Sequence, residues 1–196
     1  MKDILTELRN VFPEEFHWAD ISAKKIELLE TKDDADCKLV VLRKSNSQAT
    51  FSVQSDYSPK GVPTDSYIFD KLGIDCTSLR KCDYIIFCAT PKKLFVLLVE
   101  MKSSKSHGWL EQILQGELIA KHCLEQVESK LSNNLLNDCE FRGILFTTKP
   151  LNKLPSPRFK LEQSPSIKWE SDSKGIKYVR QPCNSNIPLS LGSYLK

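Results

Sequence analysis

The chain has 196 residues, 40% of them hydrophobic and 27% charged, with a formal net charge of +3. That size and mixture support a buried core without disulfide staples and exclude a chain dominated by disorder. The small net charge excludes a strongly polycationic binder, although residues 141–180 hold nine Lys or Arg against three acids, a stretch that reads either as a phosphate track or as a solvated lysine-rich face.

In chain order, residues 2–11 read as a short amphipathic helix stopped by Pro13. A second helix is expected over about 20–31, carrying Ile21, Ile26, Leu28 and Leu29. Residues 37–43 and 50–54 are β-rich, and the polar 44–48 between them reads as a hairpin loop. Pro59, Gly61 and Pro63 make 57–65 a loop. Two strong apolar runs, 83–88 and 94–102, flank a turn at Thr90-Pro91-Lys92-Lys93 and predict an antiparallel hairpin. Leu110, Ile113, Ala120, Leu124, Val127 and Leu131 then recur at helical spacing. Residues 141–148 read as a buried strand ended by Pro150, and 167–170 with 176–180 as a hairpin turning at Lys174-Gly175. Hairpin, helix and strand in that order predict an α/β fold with a mixed central sheet flanked by helices.

Charges interrupt residues 1–7 before any apolar run forms, so no signal peptide is expected there. The longest apolar runs are too short to span a bilayer. A cytoplasmic protein with no membrane partner is the expectation. Its seven cysteines are expected to be reduced, mostly buried thiols. Cys76, Cys82 and Cys88 recur evenly, but no histidine lies near enough in sequence to complete a plain zinc pattern. His17, His107 and His122 are scattered, and neither a nucleophile elbow nor a glycine-rich phosphate loop is present.

The chemistry-bearing feature is Glu100-Met101-Lys102. Alternation along a strand sends Glu100 and Lys102 to one face and Met101 to the other. A carboxylate and an ammonium ending a doubly buried run need a partner or a cleft, because unpaired burial of charge is expensive. Asp83 opens the other arm of the hairpin and so lies opposite. Two converging carboxylates can hold a hard divalent cation, with the Met101 carbonyl as a further donor. Glu-x-Lys itself carries little information, since it recurs at Glu30-Thr31-Lys32 and Glu128-Ser129-Lys130. Only the middle copy ends a buried strand facing an aspartate.

Cys82-Asp83-Tyr84-Ile85-Ile86-Phe87, then Phe95-Val96-Leu97-Leu98-Val99-Glu100-Met101-Lys102-Ser103-Ser104, and Trp109-Leu110-Glu111-Gln112-Ile113-Leu114 beyond them, resemble the PD-(D/E)XK nuclease superfamily, the restriction-endonuclease-like proteins. Cysteine stands where the name motif has proline. The resemblance implies an αβββαβ core, recognisable over about 74–148, within a single nuclease-like domain spanning 1–196. Residues 1–73 would add helices and a β-hairpin, and 149–196 a basic extension. It implies Asp83 and Glu100 as ligands of Mg²⁺, with Mn²⁺ as a substitute, and Lys102 as the residue that positions water and offsets charge. Gln112 would contact the lysine or a phosphate, with Gln115 as the alternate. Glu27 or Glu30 are candidates for an extra acid that some members supply from the first helix; Asp75 is a further one, more simply read as a turn residue. The implied activity is Mg²⁺-dependent endonucleolytic cleavage of DNA, RNA not being excluded, in restriction, repair or anti-phage defence. A homodimer and a separate ATPase or targeting subunit are the implied partners.

Weaker nucleic-acid contacts are read at Lys105, Gln115, Lys149, Lys168 and Trp169. Trp109 borders the apolar stripe and reads as core, which leaves Trp169, near Lys168, as the tryptophan to test for base stacking. Two other readings stand beside the nuclease: a catalytically inactive nuclease-fold DNA-binding or scaffold subunit, and an unrelated α/β domain in which Glu100 and Lys102 form a surface ion pair.

Overall fold

The two strong apolar runs pair as their sequence demands, and the remaining elements assemble around that hairpin. The computed structural model describes residues 2–19, 21, 23–31, 35–63, 66–75, 80–102, 108–131, 134–148, 167–172, 175–183 and 188–196. In chain order these form α1 (Lys2–Val11), a 3₁₀ turn, β1 (His17–Ala19), β2 (Lys25–Leu29), β3 (Leu39–Arg43), β4 (Ala49–Gln54) and α2 (Tyr67–Leu72). There follow β5 (Tyr84–Ala89), β6 (Leu94–Lys102), α3 (Trp109–Leu131), β7 (Cys139–Thr147), β8 (Glu170–Ser171), β9 (Lys177–Pro182), β10 (Leu189–Ser190) and a closing 3₁₀ turn, Leu191–Leu195.

A seven-stranded sheet runs in the order β1-β4-β5-β6-β7-β9-β8. β4, β5 and β6 are antiparallel neighbours, whereas β6, β7 and β9 run parallel, so the sheet is mixed. The expected hairpin at 83–102 is present, with Tyr84 opposite Val99, and its turn is held by Thr90, whose amide donates to the Lys93 carbonyl at 3.0 Å. The parallel β6–β7 pair requires a crossover, and α3 supplies it. The expected C-terminal hairpin is β8 against β9.

Three expectations are corrected. Residues 25–29 form a strand, not part of a helix. Ile26 and Leu28 are buried and alternate with exposed Lys25, Glu27 and Leu29, and that two-residue period decides the element. The 44–48 segment does not join a hairpin, because β3 pairs with β2 and β10 in a separate three-stranded sheet while β4 joins the large one. Nor do helices flank both faces. Leu5 and Leu8 of α1 and Ile113, Ile119 and Leu124 of α3 cover the face bearing Ile85, Val96 and Leu98. The small sheet and the last 3₁₀ turn cover the other face, through Ile26, Leu28, Leu42 and Tyr194 packed on Ile86 and Leu97.

The expectation of reduced thiols is also corrected. Cys37, buried beneath the small sheet, is disulfide-bonded to Cys183, just past β9. Cys82, Cys88 and Cys123 are free and buried, and Cys139 is free and half-buried; Cys76 lies outside the described residues. Among the described residues, no helix is long and apolar enough to cross a membrane.

One polar knot fastens β7 to its surroundings. Glu140 receives Lys93 Nζ at 2.8 Å, Arg142 Nη2 at 2.7 Å and Lys177 Nζ at 3.2 Å. Partial burial pushes the Glu140 carboxyl up, but the hydrogen bonds from Lys93, Arg142 and Lys177 outweigh it and hold the pKa down at about 2. Arg142, itself buried, also donates to the Lys196 carbonyl at 2.9 Å and stacks on Phe95 and Trp169. A depressed folded-state pKa stabilises the protein above the ordinary carboxylate range, and that stabilisation is lost as pH falls through the folded value. Glu140→Gln is therefore expected to cost about 2 kcal/mol at neutral pH, allowing for partial exposure. Its deficit against the native chain should shrink between about pH 4.5 and 2. Urea midpoints across that range check it, and a deficit independent of pH would contradict the ionic origin.

Candidate active site

Asp83, Glu100 and Lys102 are brought together on the helix-covered face, at the carboxyl end of β6. Register fixes this. Tyr84 pairs with Val99, and Asp83, directly before β5, accepts the Met101 amide on Oδ2 at 2.6 Å, which sets its carboxyl beside Glu100. The Asp83 amide donates to the Val99 carbonyl at 3.0 Å and its own carbonyl accepts from the Ser55 amide at 2.9 Å. The segment before β5 is thereby pinned between β4 and β6.

Glu100 is fully buried and Asp83 is 7% exposed. Lys102 Nζ lies 2.5 Å from Glu100 Oε1, with the lysine a quarter exposed at the mouth. The pair is thus not a surface ion pair. Met101 turns its side chain into the opposite core, beside Val99 and Phe146, while its amide donates to Asp83 Oδ2 at 2.6 Å. The Asp83 carboxyl is pushed well above the ordinary aspartate range, first by burial and then by the charges of Glu100 and Asp56; the Met101 amide and Lys102 oppose this. Asp56 follows β4 directly and is the acid that the sequence reading passed over, since only the β4–β5 pairing brings it near Asp83.

Gln112 stands beside the site and donates Nε2 to the Lys81 carbonyl at 3.1 Å, holding the segment that leads to Asp83. Gln115, one turn on, has a buried Oε1 that finds no hydrogen-bond partner among the described residues. α3 sits close because Gly116 lacks a side chain: a Cβ there would fall 2.4 Å from Cys82 Sγ, directly before Asp83.

The other candidates scatter. Glu27 is on β2, paired with Lys25 at 2.5 Å, and Glu30 follows that strand; both belong to the small sheet on the far side, not to a first helix. Trp169 packs against Arg142 in the core opposite the site, and Lys168 is exposed next to it. Trp109 is buried as core, against Tyr178. Asp75 is exposed beyond α2. His17 and His122 are hydrogen-bonded to the carbonyls of Phe12 and Leu72. Lys105, Lys149 and His107 lie outside the described residues.

Among the described residues, no group of three or more His, Cys, Asp or Glu side chains is arranged to hold a metal ion. The donor set that fits is the smaller one of two carboxylates and a strand carbonyl, completed by water, which suits Mg²⁺. Asp83 and Glu100 repel as buried anions, and a divalent cation between them would relieve that repulsion. In its absence the repulsion has a measurable sign. A folded-state pKa above the unfolded one contributes stability that is complete below about pH 3.9 and is lost as pH rises through the folded value. With chelator present, Asp83→Asn is expected to gain stability over the native chain as pH rises through the folded value and to lose that advantage in acid. Chemical denaturation at several pH values checks it; an Asp83→Asn chain less stable at high pH would contradict the cost of ionising Asp83 by burial and by the neighbouring acids.

No protein-family model matches the chain, and neither a curated protein nor a solved structure matches it.

Proposed function

We propose that this chain is a Mg²⁺-dependent nuclease of the PD-(D/E)XK type that hydrolyses DNA phosphodiester bonds. The observation that carries the reading is the pair of buried carboxylates, Asp83 and Glu100, on neighbouring strands with Lys102 against them. With β1–β3 interposed after α1 and α2 after β4, the elements α1, β4, β5, β6, α3 and β7 come in that order, with β6 and β7 parallel, which supports the reading by following the αβββαβ order that the resemblance implies.

When bound, Mg²⁺ would acidify a water molecule and neutralise charge on the phosphate. Asp83, Glu100 and the Met101 carbonyl would hold it, and Mn²⁺ would substitute. Lys102, anchored by Glu100 and exposed at the mouth, would orient the attacking water and offset negative charge developing on the phosphoryl oxygens. Gln112 would act as a positioning residue by holding the Lys81 carbonyl. Attack breaks a P–O bond, and the resemblance implies a 5′-phosphate product. A double-strand break needs two such sites, so a homodimer goes with the proposal. So do a cytoplasmic role in restriction, repair or defence and a separate ATPase or targeting subunit.

The test is incubation with supercoiled plasmid and linear duplex, with Mg²⁺ or Mn²⁺, with and without chelator. Metal-dependent nicking or linearisation is expected. DNA binding without cleavage under every condition would assign the chain instead to the non-catalytic, nuclease-fold subunits.

A further inference from the structure

Arg180 has no role in the site described above, yet the sheet places it in line with that site. Glu100 pairs with Leu145, and Leu145 with Arg180, in one row across three parallel strands. In-register residues of neighbouring parallel strands project to the same face. Leu145 and Tyr178 pack in the helix-side core, so Arg180 shares the face of Glu100 and Lys102. Two strand spacings put its backbone roughly 10 Å from that of Glu100.

The guanidinium is exposed but not loose. It lies 5.8 Å from the Trp109 ring centre and 6.0 Å from that of Tyr178, and those two rings meet edge to face at 5.0 Å. Trp109 is the first residue of α3 and is buried, so the platform is rigid. Arg80, the arginine near the start of α3, is instead neutralised by Glu111 at 3.3 Å. No salt bridge joins Arg180 to a carboxylate among the described residues; Glu170, the acid across the β8–β9 pair, and Arg180 both hydrogen-bond the Tyr178 hydroxyl. A guanidinium held over two rings and hydrogen-bonded to one of them still has further N–H groups to offer an acceptor, and that anchoring lowers the entropy cost of using them. The acceptor that matches these groups beside a phosphodiester-cleaving centre is a backbone phosphate of the same strand.

We infer that Arg180, seated on Trp109 and Tyr178, anchors a phosphate of the DNA strand entering the Asp83–Glu100–Lys102 centre. The inference rests on the nuclease reading for what happens to that strand, but its test does not. The probe is a short fluorescein-labelled DNA duplex, titrated by anisotropy in chelator at several salt concentrations, with the native protein, Arg180→Ala and Arg180→Lys. Arg180→Ala is expected to weaken binding on the order of tenfold and to lower the slope of log affinity against log salt by about one. Arg180→Lys should keep the slope while losing part of the affinity, a split that a misfolded variant would not give. In Mg²⁺, Arg180→Ala should raise KM for the duplex more than it lowers kcat. Native affinity and slope in Arg180→Ala would overturn the anchor while leaving the nuclease reading intact. The expected binding losses in a protein that never cleaves would uphold the anchor and overturn the nuclease.

Discussion

Glu100→Ala is expected to abolish Mg²⁺-dependent DNA cleavage, a fall of about a thousandfold or more, and Lys102→Ala to lower it by about a hundred- to a thousandfold. Both follow from position. Glu100 is the fully buried carboxylate beside Asp83, and Lys102 is the cation held 2.5 Å from it. Glu100→Gln keeps the volume of the buried side chain, so its loss of activity would not be a loss of fold. Lys102→Ala leaves Glu100 buried without that counter-charge and should also be destabilised, by about 3 kcal/mol, so near-ultraviolet circular dichroism accompanies its assay. Glu27→Ala is the control, because Glu27 is exposed on the small sheet across the large one from the site. Cleavage surviving in both Glu100→Gln and Lys102→Ala would place the chemistry elsewhere.

Removing the Cys37–Cys183 bridge, by reductant or by the pair Cys37→Ser and Cys183→Ser, is expected to cost about 3–5 kcal/mol, or roughly 10 °C in Tm. The bonded residues are 146 positions apart, so the bridge restricts the unfolded chain over most of its length. Thermal unfolding with and without reductant measures it. A reductant effect of equal size in the double-serine chain would show that another thiol is responsible. In a reducing compartment the protein would have to fold without this contribution, so the redox state belongs in any activity assay.

Where order along the chain decided structure, the sequence was readable. The β5–β6 hairpin follows from two apolar runs around Thr90-Pro91-Lys92-Lys93, and α3 from apolar residues at helical spacing. That hairpin alone sufficed to bring Asp83 to Glu100. Where partners distant in sequence decided, it was not. Ile26 and Leu28 suit a short helix as well as a strand until Val40 and Leu42 are set opposite them. β3 and β4 look like hairpin arms, yet burial assigns them to different sheets. Asp56 joins the site through β4–β5 register, and Arg180 through two further pairings. Cysteine connectivity is likewise not deducible from spacing, least of all with seven cysteines.

Mechanically, the bridge makes residues 38–182 a closed covalent loop. That loop holds β4, β5, β6, α3, β7 and β9 and, with them, Asp83, Glu100, Lys102 and Arg180. Tension that reaches Cys37 and Cys183 passes between them through the sulfur atoms and not through β5, β6, β7 and β9. Such a pull would strip β1 from β4 and β2 from β3 and peel away β10 with the last turn, while β5 and β6, which bear on the carboxylates, stay inside the loop.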